Sequence, residues 1–96
     1  MLTKLEQNGV ARVTFAMPAM EDCDSLCLVG EFNDWNATVH PMQRNDEGAW
    51  SLTLELEPGR EYQFRYCTGD GTWHNDPAAD AYIANPFGSE NSVVRA

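Results

Sequence analysis

Two tryptophans stand in unusual company for so large a side chain. Glu31-Phe32-Asn33-Asp34-Trp35-Asn36 surrounds the first, and Asp70-Gly71-Thr72-Trp73-His74-Asn75 the second. An aromatic ringed by Asn, Asp and Gly has few apolar neighbours in sequence to pack against. One such residue folds back over a core about as readily as it faces solvent. Two of them, each edged by amides and carboxylates, point instead to binding, because loops on a rigid scaffold are where binding residues concentrate. The chemistry they suit is sugar recognition. The axial C–H groups of a glucose ring form an apolar, slightly positive face that meets the negative face of an indole. The equatorial hydroxyls project sideways, where Asn, Gln and Asp donate or accept. Loop aromatics also anchor protein partners, and that is the competing reading.

Other chemistry finds less support. Glycoside hydrolysis needs two carboxyl groups facing each other about 5 to 9 Å apart across a bound sugar. The 15 Asp and Glu residues allow many pairs, but Asp70 beside Trp73, with Asp76 further on, is the tempting set. Asp70 lies in a Gly-x-Gly turn, where an Asp side chain bonds the local backbone, and Asp76 precedes Pro77 as a turn starter. Both read as structural, and no enzyme is expected. His40, before Pro41, and His74, beside a turn, complete no Ser-His-Asp set. Neither do they and the cysteines show zinc-ligand spacing. No metal and no cofactor is expected. Cys23, Cys27 and Cys67 read as thiols in a reducing compartment. Cys23 and Cys27, placed on one strand from Cys23 to Val29, would stand roughly 13 Å apart at the usual rise per residue, too far for a disulfide.

The elements that must hold these residues are strands. Val13, Phe15 and Met17 alternate with Arg12, Thr14 and Ala16 up to Pro18. Cys23–Val29 makes a second run, ending at Gly30. Trp50, Leu52, Leu54 and Leu56 alternate with Ser51, Thr53, Glu55 and Glu57 after the turn residues Asn45-Asp46-Glu47-Gly48. Beyond Pro58-Gly59, Tyr62, Phe64 and Tyr66 alternate with Gln63, Arg65 and Cys67. Gly69-Asp70-Gly71 turns the chain into Thr72-Trp73-His74, and Ser92–Arg95 closes it. Period-2 alternation predicts half-buried strands, and turn signals about every ten residues predict an antiparallel sandwich or small barrel. At 96 residues the expectation is an all-β, immunoglobulin-like antiparallel β-sandwich. Residues 1–9 form a leader or extra edge strand, and residues 10–96 the domain. The expected core holds Val13, Phe15, Leu26, Leu28, Trp50, Leu52, Leu54, Leu56, Phe64 and Tyr66.

The order of short elements carries a family resemblance. Leu28-Val29-Gly30-Glu31-Phe32-Asn33-Asp34-Trp35 is followed by Asp46-Glu47-Gly48-Ala49-Trp50, Pro58-Gly59, Tyr62-Gln63-Phe64, Gly71-Thr72-Trp73, Asp76-Pro77 and Asn85-Pro86-Phe87-Gly88-Ser89-Glu90-Asn91-Ser92-Val93. This series resembles the isoamylase N-terminal, or family-48 carbohydrate-binding, module. It is similar to the glycogen-binding domain of the AMP-activated protein kinase β subunit. The resemblance implies a sandwich of the early-set type and binding of α-1,4-linked glucan without cleavage. It places Trp35 and Trp73 at the two stacking positions and Asn91 where an asparagine bonds sugar hydroxyls. Phe87 falls at an apolar contact, and Gln63 where the kinase type carries a sugar-contacting Lys. Two other readings stay open. One is a protein-interaction or scaffold domain of the same fold, the other an accessory subunit of an amylolytic enzyme, in either case a chain that no longer binds sugar. A glucan-metabolising enzyme or a kinase-type protein is the partner implied.

Composition narrows the partners. Six Lys and Arg against 15 Asp and Glu give a net charge of −9. Nucleic acid and anionic membrane attract basic clusters that this chain lacks, so neither is expected. With no apolar stretch near the roughly 20 residues of a membrane helix and no signal-peptide pattern, a cytoplasmic location is expected.

Overall fold

Residues 1–21 and 23–96 are described by the computed structural model of the chain. The strands are β1 Leu2–Gln7, β2 Val10–Met17, β3 Leu26–Gly30, β4 Gln43–Arg44, β5 Trp50–Leu56, β6 Glu61–Thr68, β7 Trp73–His74, β8 Ala81–Ala84 and β9 Glu90–Arg95, and the clean alternation lies in β2, β5 and β6. Among the described residues they make two antiparallel sheets, one ordered β1-β2-β5-β4 and the other β3-β6-β9-β8, with β7 hydrogen-bonded to β6. The two sheets pack into an immunoglobulin-like sandwich. Leu2–Gln7 pairs along its whole length with β2. The link is Asn8-Gly9, both at positive φ (54° and 81°), the two-residue hairpin loop that Asn-Gly favours.

The core lies between the inner faces. Phe15 sits opposite Leu52 in the β2–β5 ladder, and Leu28 opposite Tyr66 in β3–β6. Phe15, Phe64 and Tyr66 are fully buried and stack edge to face, with ring centroids 5.0 Å apart for Phe15–Phe64 and 5.6 Å for Phe64–Tyr66. Val13, Leu26, Leu28, Trp50, Leu56 and Val94 complete this layer. Leu52 and Leu54 depart from the expected full burial, since both are half-buried. The cause is the shortness of β4, which covers β5 only at Trp50 and Ser51. Beyond Ser51, β5 is an edge strand among the described residues, and Leu52 and Leu54 stay partly open there while Leu56, at its end, is buried.

A second correction concerns the strand expected from Cys23. It begins at Leu26. Cys23 turns inward instead, buried, with its thiol bonded to the Ser25 carbonyl at 3.3 Å and its own carbonyl accepting from the Arg44 guanidinium at 3.0 Å. Cys23 and Cys27 therefore do not share a strand, and the spacing argument against their pairing falls. All three cysteines are free thiols.

The crossing from β7 to β8 is pinned by a buried polar cluster. Asp76, 1% exposed, accepts hydrogen bonds from the Tyr66 hydroxyl at 2.8 Å, from the Ala78 amide at 2.8 Å and from the Met1 amine. Its own amide donates to Ser92 Oγ at 2.8 Å, and that hydroxyl donates to Asn75 at 3.0 Å. A buried carboxylate persists only when its lone pairs are matched in this way. Burial, with Asp76 adding, pushes the Tyr66 phenol far above its usual range. The described residues include no α-helix, and no helix long and apolar enough to cross a membrane.

Candidate functional site

A strand sends alternate side chains to opposite faces. With Phe64 and Tyr66 in the core, Gln63 and Arg65 must stand on the outer face of the β6 sheet. Around them opens a cleft of about 620 Å³, lined by Glu31, Trp35, Gln63, Arg65, Trp73, Asn85, Pro86, Phe87 and Asn91. All five side chains singled out from the sequence meet here.

Trp35 reaches the cleft through a one-turn 3-10 helix, Glu31–Asn33, that follows β3. Gly30, at the start, admits no side chain: a Cβ there would lie 2.6 Å from the Gln63 carbonyl oxygen and 2.9 Å from Phe64 Cβ. Phe32 points inward and packs on Phe15 and Tyr62, with centroids 5.6 and 6.0 Å away. Anchoring Phe32 turns the chain so that Trp35 emerges on the outer face. The turn closes through two consecutive left-handed residues, Asp34 and Trp35, at φ 54° and 59°. A bulky residue adopts that conformation only where its surroundings hold it. The Trp35 amide donates to the Gly30 carbonyl at 2.9 Å, and its indole is 36% exposed.

Trp73 begins β7 and lies directly opposite Cys67. Its indole is 42% exposed, with the Arg65 guanidinium 6.0 Å from the ring centroid. The hairpin before it is set by Asp70, whose carboxylate accepts from the Thr72 amide at 3.1 Å and from the Thr68 hydroxyl. Those bonds hold the Asp70 carboxyl below its usual range. Asp70 is occupied with the turn and Asp76 with the buried cluster; the cleft lining includes neither. Burial pushes the Cys67 thiol up, with Cys27 and Asp70 adding.

The far wall is the loop between β8 and β9. Asn85 organises it, its side-chain oxygen accepting from the Phe87 amide at 3.0 Å and the Ser89 amide at 3.1 Å. Gly88, at φ 80°, supplies the left-handed step. The loop holds Phe87 out with 90% of its surface exposed. Asn85 Nδ2 also donates to Asn91 Oδ1 at 3.2 Å, and Asn91 Nδ2 to Gln63 Oε1 at 3.0 Å. Three amides thus form a chain along the floor. The Gln63 backbone amide donates to Glu31 at 2.6 Å.

The lining also includes Arg65, Glu31, Asn85 and Pro86, which the sequence reading does not single out. Arg65 had a signal: it lies two residues from Gln63 on one strand and must share its face. Its Nε is buried without a hydrogen-bond partner among the described residues.

A β-sandwich carrying two exposed indoles and a row of amides in one open cleft defines a binding module. The chain matches the family described as Carbohydrate-binding module 48 (Isoamylase N-terminal domain) over residues 5–83, and it belongs to that family. It is 38% identical over 91 residues to the 1,4-alpha-glucan branching enzyme GlgB of Photobacterium profundum, covering 91% of this chain and 12% of that protein. It is 42% identical over 66 residues to the enzyme of the same name from Deinococcus radiodurans, covering 68% and 9%. Protein FLOURY ENDOSPERM 6, chloroplastic, of Oryza sativa subsp. japonica is 34% identical over 82 residues, covering 85% and 14%. The chain therefore spans about a tenth of the length of these relatives.

Proposed function

We propose that this chain is a non-catalytic module that binds α-1,4-linked glucan in the Trp35–Trp73 cleft. The observation that carries the reading is the meeting of two half-exposed indoles with the Gln63–Asn91 amide pair in one cleft. The indoles offer flat apolar faces for glucose rings. Asn91 and Gln63, oriented by each other, offer donors and acceptors at the ring edges. Arg65 adds a donor with an unmet bond, and Phe87 an apolar flank. A volume of about 620 Å³ falls in the range of small-ligand sites. Support also comes from the relatives, two of which are named for action on 1,4-alpha-glucan. In such a setting the module would hold glucan near a glucan-metabolising catalytic partner.

Titration calorimetry with β-cyclodextrin or maltoheptaose tests the reading. Wild type should release heat of binding, and Trp35→Ala and Trp73→Ala should each weaken it while melting near the wild-type temperature. Wild type giving no heat at millimolar ligand, or Trp variants that unfold early yet bind normally, would transfer the site to the scaffold reading. Exposed Ile83 on the edge strand β8 and Phe87 in the loop that follows it would then belong to its contact surface.

A further inference from the structure

Beside the packed Phe32 ring, the Asn33 side chain braces the turn that presents Trp35, and its bonds dictate the state of a histidine. Asn33 Oδ1 accepts from the Gly30 amide at 3.0 Å. Its Nδ2 donates to the Leu28 carbonyl at 3.0 Å and lies 2.8 Å from His40 Nδ1. The Gly30 amide can only donate and the Leu28 carbonyl can only accept, so the orientation of the Asn33 amide is fixed. Nδ2 therefore presents a hydrogen to His40, and His40 Nδ1 must accept it. That requires the neutral imidazole with its proton on Nε2. The His40 carbonyl is itself fixed, accepting from the Leu28 amide at 2.9 Å.

We infer that Asn33 and His40 are positioning residues for the Trp35 platform: neutral His40 locks the Asn33 amide, and the locked amide holds the left-handed turn that aims the indole into the cleft. The function of the turn rests on the glucan-binding reading given above. A proton added to Nδ1 would face the Nδ2 hydrogens of Asn33 and break this bond. Rotating the Asn33 amide to recover it would sacrifice the Gly30 and Leu28 bonds together. The Asp34–Trp35 pair, at φ 54° and 59°, is then the segment free to relax, because it is held against its conformational preference. The groups facing the imidazole are the Phe32 ring, edge-on at 6.3 Å, the Asn33 amide and, behind it, the Leu28 carbonyl. Among the described residues no carboxylate or cation makes an ion pair with it.

The test measures β-cyclodextrin affinity and the NMR signal of the Trp35 indole N–H from about pH 8 to about pH 5, the range over which imidazoles change charge. The signal is assigned by its loss in Trp35→Phe. In wild type, acid should weaken binding by about 2- to 10-fold, the value of one hydrogen bond, and the Trp35 signal should shift over the same pH range as the affinity. His40→Asn puts an uncharged acceptor at the Nδ1 position and should bind at all pH values as wild type does at pH 8. His40→Phe keeps a ring but no acceptor and should bind at all pH values as wild type does in acid. His74→Gln should leave the profile unchanged. A Trp35 signal that stays still from about pH 8 to about pH 5 overturns the inference, as does a pH profile that survives His40→Asn or wild-type affinity in His40→Phe. If no variant binds β-cyclodextrin, the glucan reading fails and the indole signal alone decides the positioning.

Discussion

An indole contributes to binding through the face it leaves open, and both cleft tryptophans leave more than a third of their surface open. Covering one with a glucose ring combines apolar burial with the C–H to π-face attraction, together about 1 to 3 kcal/mol. Trp35→Ala and Trp73→Ala should each raise the dissociation constant roughly 5- to 150-fold, read by calorimetry beside a thermal melt. Asn91→Ala should cost nearer 1 kcal/mol, through the lost contact and the freeing of Gln63 Oε1. The two indoles were legible from their neighbours alone, since polar turns on a β-scaffold leave an aromatic little else to cover. Asn91, Phe87 and Gln63 were legible only through the order of motifs. Their convergence depends on the β8–β9 loop folding back, and no local pattern states that. Arg65 was legible in principle from the period of β6 but is masked by its charge, which suggests solvent rather than a cleft floor.

At the scale of elements, alternation read the long strands well and short or edge strands poorly. β8 is not legible in the sequence, because four residues between turn-rich segments carry no visible period, and its place is set by pairing with β9. The overestimate at Leu54 has the same origin, because periodicity gives the face of a side chain and not how far neighbouring strands cover it. Leu28→Ala, at a fully buried site, should cost about 2 to 5 kcal/mol in denaturant unfolding. Leu54→Ala, half-buried on an edge, should cost about 1 to 2 kcal/mol. The Tyr66–Asp76 bond ties the β7–β8 crossing to the core at Asp76 and adds an alkaline limit. The Tyr66 phenol is raised in the fold by burial first and Asp76 second, while an unfolded tyrosine ionises near pH 10. Below about pH 10 both states hold the proton and this stabilisation is complete. As pH rises further the unfolded chain releases its proton and the folded chain does not, so stability falls by about 1.4 kcal/mol per pH unit from this group. Tyr66→Phe should be less stable by about 1 to 3 kcal/mol at neutral pH, and the gap to wild type should narrow above pH 10 in equilibrium unfolding.

The whole molecule carries a net charge of −9 around a cleft whose only carboxylate among the lining residues is Glu31. Cleaving or transferring a glycosidic bond requires an acid and a second carboxylate on opposite sides of the sugar, about 5 to 9 Å apart. Glu31 has no such partner in the lining, and its oxygen accepts from the Gln63 backbone at 2.6 Å. The carboxylates nearest in sequence to Trp73 are engaged elsewhere, Asp70 in its turn and Asp76 under the sheet. A site of this kind should hold an α-glucan and leave it intact. Maltoheptaose or amylose incubated with the 96-residue chain should show no new reducing ends and no change in iodine absorbance, under conditions where calorimetry records binding. An α-glucan is uncharged, so on the glucan reading affinity should also stay within about twofold between low and physiological salt, because screening acts on charge pairs. Release of reducing ends that is abolished by Glu31→Gln would overturn the non-catalytic reading, and a steep salt dependence would point to a charged partner in place of glucan.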